Sequence, residues 1–320
     1  MLSNDSNIRI LIVKTSSLGD IMHGLRVAQS IKDRLPNVEI DWVARRKYVA
    51  TVKASSVVNR VFTFYRHDGV RAFFALVRDI RKHDYDYIFD MEGLARSALI
   101  GWFGKASVKV GRSDAREGAT LFYRKMIPMP ERSRQKHPID ILLEFCRVLG
   151  LGPELGSRAQ FDFGTSANDS TMGEGAPLEI ALCDLSPTTN DPFYDLESLV
   201  EAFVNSSFDC KIILLGDEES ESRSDWGYEA VDDLRGKLSL EDRVLRVSNA
   251  SLVISSPGGP LHIASACEIP VIGLFGRLNP SICGPYPVNG DRSYAISFAN
   301  RPGPAVIAEV LEKAEKLLSE

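Results

Sequence analysis

IRILIVKTSSLGDIMH, residues 8–23, holds a strand, a turn and the start of a helix in sixteen positions. Ile10 to Val13 are uninterrupted apolar residues, too few for a helix and of the kind a strand buried on both faces requires. The run breaks at Thr15-Ser16-Ser17 and restarts as an amphipathic pattern with Asp20 in its first turn, the usual place for an acidic residue at a helix start. A buried strand feeding a helix is half of a βαβ unit. Outward from it the alternation recurs, with strand-like VEIDWVA (38–44), RVFTFY (60–65), YDYIFDM (85–91) and VKVGR (108–112). Between them GVRAFFALVRDIRKH (69–83) and LARSALIGWFGK (94–105) repeat apolar residues at spacings of three and four, as helices do. The sequence therefore predicts an α/β fold with a parallel sheet. Its first turn carries one glycine where a dinucleotide site needs G-x-G-x-x-G, which argues against a nicotinamide enzyme.

A helix running to about Gly150 gives way to LGPELGSRAQFDFGTSANDSTMGEGAP, poor in apolar residues and rich in Gly, Ser and Pro, which reads as a linker. The rhythm resumes with LEIALCDL (178–185), CKIILLG (210–216), SLVISS (251–256) and VIGLFG (271–276). Ser239 with Asp242 three residues on marks a helix start before the third of these. The expected organisation is a first Rossmann-like domain over 1–160, a linker over 161–177, a second Rossmann-like domain over 178–303 and a terminal amphipathic helix over 304–320. Two such domains in tandem suggest an enzyme whose ligands lie at strand ends facing a cleft.

The chain has 320 residues, 44% of them hydrophobic and 25% charged, which places it among globular proteins. No leader pattern opens it, and no uncharged apolar run reaches the ~18 residues a membrane span needs. The five cysteines are scattered without a C-x-x-C pair, which fits a reducing cytoplasm better than a disulfide framework or a zinc site. Charge divides unevenly. Residues 1–170 hold 27 Lys and Arg against 19 Asp and Glu, a net of +8, whereas residues 171–320 are at −13. The acidic half argues against nucleic acid as a partner, and the basic half suggests an anionic one. Its surplus gathers over 105–136, which reads as a loop of Lys and Arg either simply solvated or attracted to an anionic acceptor and a membrane surface.

Among chemistry-bearing residues, Asp20 is either a helix-start charge or a base placed at the cleft. His23, one turn on, either orients Asp20 or sits partly buried in the helix. The turn Gly258-Gly259-Pro260-Leu261-His262 presents a helix start, a ready site for a diphosphate without a cation, while His262 can equally cap or pack.

These segments resemble a known family. ILIVKTSSLGDIMH (10–23), FDMEGLARSAL (89–99), GRSDAREGATLFY (111–123), SLEDRVLRVSNASLVISSPGGPLHIASA (239–266) and LFGRLNPSICGPY (274–286) are similar, in order, to motifs of the ADP-heptose:lipopolysaccharide heptosyltransferases, glycosyltransferase family 9. The resemblance implies a GT-B fold, two Rossmann-like domains facing across a cleft. It implies inverting transfer of heptose from ADP-heptose to an inner-core lipopolysaccharide sugar, with no metal or cofactor and with Asp20 as general base. It assigns Ser17, Gly19, His23, Glu92 and Arg116 to the acceptor, and Thr188, Thr189, Gly258, Gly259 and His262 to the nucleotide-sugar donor, where Arg277, by its position after the strand VIGLFG, could provide replacement charge. Three departures stand out: Glu92 where the family has Gln, Pro257-Gly258 where it has Asp then Ser or Thr, and no lysine in Thr188-Thr189-Asn190-Asp191-Pro192. They leave open a relative using another nucleotide sugar, or a catalytically weak glycolipid- or nucleotide-binding relative. Oligomeric state is not legible.

Overall fold

The computed structural model describes residues 7–130, 137–164, 177–185, 193, 195–217, 220, 222–223 and 226–319. The expectations for Thr188, Thr189 and Pro192, and for Arg132, Arg134 and Lys136, fall outside these residues. The chain divides into two compact units, Met1–Phe163 and Gly164–Glu320.

The first unit alternates β1 (Arg9–Val13), α1 (Leu18–Arg34), β2 (Glu39–Arg45), α2 (Val49–Ala54), β3 (Arg60–Phe64), α3 (Gly69–Ile80), β4 (Tyr85–Asp90), α4 (Ala95–Phe103), β5 (Ala106–Arg112), β6 (Lys125–Ile127) and α5 (Pro138–Val148). Its six strands are ordered β3-β2-β1-β4-β5-β6, all pairs parallel. The central strand β1 runs Ile10 to Val13 fully buried, as an apolar run covered on both faces must be. Leu11, Val13, Val43, Ile88 and Ile100 join one core with Phe62 and Phe64. Each such side chain contributes about 1.5–3 kcal/mol by leaving water.

The second unit repeats the plan with β7 (Leu178–Cys183), α6 (Leu196–Val204), β8 (Cys210–Leu215), β9 (Val231–Asp233), α7 (Leu240–Asn249), β10 (Leu252–Ser255), α8 (Gly259–Cys267), β11 (Val271–Phe275), α9 (Pro280–Cys283), β12 (Ser293–Ser297) and α10 (Gly303–Leu318). Its order is β12-β11-β10-β7-β8-β9, again parallel. Counted from each unit's first strand, both sheets follow 3-2-1-4-5-6, the doubly wound order, whose chain direction reverses between the first and fourth strands. α7 begins where Ser239 Oγ accepts from Asp242 N at 3.1 Å. α10 packs Val306, Val310, Ala314 and Leu317 into the core of the second sheet.

One expectation needs correction. Beyond the expected strand β5, the described part of the basic segment 105–136 is no loop: it holds a 3-10 helix over Ala119–Phe122 and β6. Its Arg112 is held in a two-toothed pair with Asp114, at 2.9 and 2.7 Å, and is therefore not part of a solvated charge run.

Candidate active site

At the reversal point of the first sheet, β1 ends at Val13, paired with Asp90 at the end of β4, so Lys14 and the turns after the two strands lie side by side. The Trp42 indole donates to Lys14 O at 2.9 Å, fixing the first turn. Asp20, third residue of α1, accepts from Ser17 N at 3.1 Å and from Ser17 Oγ at 2.9 Å, so it caps the helix as a charge in that position does. Lys14 Nζ lies 3.4 Å from Asp20 Oδ1 and 3.3 Å from Glu92 Oε2. The lysine and Glu92 side chains are 5% and 7% exposed, Asp20 41%, so the cation and its buried partner sit behind a carboxylate that opens outward. Burial works to raise the Asp20 carboxyl, and the Lys14 charge with the Ser17 hydrogen bonds outweighs it, leaving the group below its ordinary range. Asp20 is thus ionised and a weak base. His23, one turn on, is buried, and its ring stands edge-on to His137 at 4.9 Å.

Glu92 is bound into the turn. Its carboxylate accepts from Thr15 N at 3.0 Å, Ser16 N at 3.4 Å and Ser16 Oγ at 3.3 Å. A second buried carboxylate, Asp90, shapes the same turn by accepting from Glu92 N and Gly93 N at 3.0 and 3.1 Å, and from Ser97 Oγ and the Tyr123 hydroxyl at 2.9 and 2.7 Å. Burial pushes its pKa up to about 6 against the pull of those four hydrogen bonds. Gly93 takes φ +75°, a conformation that suits glycine, and its carbonyl accepts from Arg116 N at 2.9 Å. Glu117 Oε2 accepts from Ala95 N at 3.2 Å, closing the start of α4. Segment 111–123 therefore clamps the turn of 90–95. Burial opposes the charge of Arg112, and Asp114, Asp20 and Asp90 more than offset that, raising its pKa.

Beside these turns opens a pocket whose lining includes Thr15, Ser16, Glu92, Ser97 and Glu117 together with Arg45, Arg66 and Arg96. Ser17 is exposed and Gly19 buried at its edge, and Arg116 is exposed on the adjoining turn without lining the pocket. Sequence reading had singled out Asp20, Ser17, Gly19 and Glu92 and missed Lys14, Asp90, Tyr123 and the three arginines. Lys14 and Asp90 had a signal, a charged residue directly after an apolar stretch, ILIV and YIF. The arginines had none, since they come from β2, the turn after β3, and α4.

In the second unit the corresponding reversal point lies between β7 and β10, where Ser256 N donates to Cys183 O at 3.3 Å. α8 starts at Gly258-Gly259, and His262 lies one turn in, its N–H bonded to Gly258 O at 3.3 Å. Pro260 removes one N–H from that start. Arg277 is exposed just beyond β11, the next strand. The missed residue here is Asp184, which follows β7 at φ +53° and whose Oδ2 lies 3.4 Å from where a Cβ on Gly258 would stand. Burial pushes Asp184 up to about 6, Arg243 lowering it and Asp217 adding to the rise. Arg243 Nε is buried without a hydrogen-bond partner among the described residues.

Two doubly wound units, each with charged turns at its reversal point, are the architecture of GT-B glycosyltransferases. The chain belongs to glycosyltransferase family 9, the heptosyltransferases, whose family model matches residues 73–139 and 198–304. It is 27% identical over 301 residues to lipopolysaccharide heptosyltransferase 1 of Salmonella typhimurium, covering 88% of this chain and 92% of that one. The solved structure of the Escherichia coli heptosyltransferase WaaC with ADP superposes with a TM-score of 0.78 at 24% identity, covering 97% of this chain and all of that one. The Escherichia coli ADP-heptose lipopolysaccharide heptosyltransferase II superposes at 0.75 and 17% identity, over 98% and 99% of the two chains. Both structures share the fold. No helix among the described residues is long and apolar enough to cross a membrane.

Proposed function

We propose that this glycosyltransferase moves a heptose from ADP-heptose to an inner-core sugar of lipopolysaccharide with inversion, and that Asp20 takes the proton of the attacking hydroxyl. The observation that carries the reading is an outward-opening, ionised carboxylate held by Lys14 and Ser17 beside a pocket of three arginines. Arg45, Arg66 and Arg96 suit an acceptor sugar bearing carboxylate or phosphate, because guanidinium forks pair with such groups. Arg116 lies near enough in sequence and exposure to add to them, and the basic surface of β5 and β6 draws the chain toward an anionic membrane. The donor diphosphate belongs at the start of α8, where the backbone N–H groups and helix dipole carry negative charge without a cation. As the acceptor oxygen attacks the anomeric carbon, the bond to the diphosphate breaks on the opposite face, and the hydroxyl proton passes to Asp20. A weak base suffices when that transfer comes late.

The test is Asp20→Asn. Transfer is expected to fall at least ~100-fold, the usual cost of losing a general base, with ADP binding and melting temperature near the parent's. Transfer at the parental rate would reduce Asp20 to a helix cap.

The donor turn supports a second reading. Pro257 and Gly258 offer neither carboxylate nor hydroxyl, and Asp184 brings a carboxylate from β7 instead. That altered chemistry favours a relative with a different sugar preference, which competition among ADP-, GDP-, UDP- and dTDP-sugars in the transfer assay decides.

A further inference from the structure

Two opposite charges from distant elements come to the reversal point of the second sheet. Asp184 follows β7, and its N–H donates to Leu215 O of β8 at 3.0 Å, which pins it at the strand ends where ligands of doubly wound sheets lie. Gly258, ahead of α8, sets no side chain over it, and Asp184 Oδ2 lies 3.4 Å from where a Cβ would stand. Arg243 reaches the same edge from α7. That helix runs back toward the start of β10, so its first turn lies level with the strand ends, and it packs beside α8. Burial raises both the Cys183 thiol and the Asp184 carboxyl, and the Arg243 charge works against the rise in each, which sets the guanidinium near the end of β7.

Neither group is satisfied as a structural residue is. Arg243 Nε is buried without a hydrogen-bond partner among the described residues, a state that costs stability, the more so for a charged donor. Asp184 is balanced by burial, by Arg243 and by the exposed Asp217, with no hydrogen bond lowering it. It also stands at φ +53°, the left-handed region that aspartate enters more readily than most residues. An ionised carboxylate only accepts and a guanidinium only donates. A phosphate asks for donors alone. Two neighbouring hydroxyls ask for both, since one gives its proton to the carboxylate while the other accepts from the guanidinium.

We propose that Asp184 and Arg243 form a subsite for two adjacent hydroxyls on a sugar of the donor nucleotide, and so decide which nucleotide sugar binds. The inference rests on the donor assignment made above. Gly258 directly precedes α8, so the subsite adjoins the place of the diphosphate, which carries a sugar on either side, the ribose and the one transferred. Either supplies the diol. A site built this way turns away an analogue that lacks the hydroxyl, because its own buried groups are then left unpaired.

The experiment is calorimetric titration of the full chain with ADP, 2′-deoxy-ADP and ADP-heptose, repeated on Asp184→Asn and Arg243→Met. Asparagine keeps the shape and tolerates the left-handed backbone. The parent is expected to show a preference of about tenfold or more within one pair of ligands. ADP over 2′-deoxy-ADP places the diol on the ribose, and ADP-heptose over ADP places it on the transferred sugar. Each variant should lose that preference while binding the poorer ligand of the pair as the parent does. Ligand-free Arg243→Met should melt at or above the parental temperature, since it sheds a buried donor that nothing meets. Variants that weaken all three ligands alike would put the guanidinium on the diphosphate and overturn the proposal. So would variants matching the parent on all three, or an Arg243→Met protein that melts several degrees lower with the preference intact. Heptose transfer by a parent with no preference in either pair would overturn it and leave the function standing. No binding of any adenine ligand would instead fault the donor assignment, and UDP against 2′-deoxy-UDP and UDP-glucose against UDP would then decide the diol.

Discussion

Lys14 serves two carboxylates at once, and the balance between them sets how basic Asp20 is. Removing the lysine alone would strand a buried Glu92 charge and cost several kcal/mol, so the informative change removes both partners together. Lys14→Met with Glu92→Gln keeps an oxygen for the Thr15 and Ser16 donors while taking away the cation that lowers Asp20. A base works above its pKa, so the acid limb of kcat/KM should move to higher pH in the double variant, with little change in melting temperature; an unmoved limb would show that Lys14 does not set the base. Asp90 offers a stability counterpart. Its carboxyl rises from the ordinary 3.8 to about 6, so the folded state holds the proton more tightly than the unfolded one. That contribution is present below the ordinary value and lost as pH climbs through about 6, a swing of about 3 kcal/mol. Asp90→Asn should flatten the fall in unfolding free energy between pH 4.5 and 7 relative to the parent, as read by urea melts. Asp20 was legible in the sequence because it stands at a helix start after a buried strand. The roles of Lys14 and Asp90 were not, since burial defines them together with partners distant in sequence, Glu92 for Lys14 and Tyr123 for Asp90.

At the scale of elements, the turn after β4 stands because three sequence-distant pieces hold it. β5 matters most through Gly111, where a Cβ would fall 2.2 Å from the Tyr123 ring. Gly111→Ala must therefore push aside the side chain whose hydroxyl meets Asp90 at 2.7 Å. Overpacking of this kind costs about 1–3 kcal/mol, and here it should also lower transfer by loosening Glu92 and Lys14 behind Asp20. Thermal melting and steady-state rates test this; a variant destabilised but fully active would confine Asp90 to a structural part. The central strands were readable as apolar runs, and α3, α4 and α10 by their period. The edge strands β6 and β9 were not, whereas the edge strand β3 was. β6 reads KMI and β9 reads VDD, short and polar as edges are, so they lack the run that marks a strand covered on both faces. The same polarity made 105–136 look like a loop.

Over the whole molecule, the two units repeat one strand order yet differ in charge, the first half of the chain at +8 and the second at −13. On the donor assignment proposed above, a diphosphate would bind to the acidic part, where the long-range field opposes it and only local groups favour it. Those groups are few among the described residues: the N–H of Gly259 and Leu261 at the start of α8, less the one lost to Pro260, and Arg277 beyond β11. Asp184, at the same strand ends, adds charge of the wrong sign for a phosphate and suits a sugar hydroxyl instead. A charge-assisted hydrogen bond is worth ~1.5–3 kcal/mol, so the absent family lysine alone removes about one to two orders of magnitude in affinity. ADP should accordingly bind, but only at roughly millimolar dissociation constant. Hydrogen exchange should place its protection at 256–263 and 276–277 and leave 14–20 and 90–97 unchanged. Gly259→Val sets a branched side chain where the phosphate approaches the backbone, and it should abolish ADP binding in calorimetry while the acceptor still binds the first unit. Saturable binding that survives Gly259→Val, or protection that appears over 14–20 instead, would move the nucleotide out of the second unit.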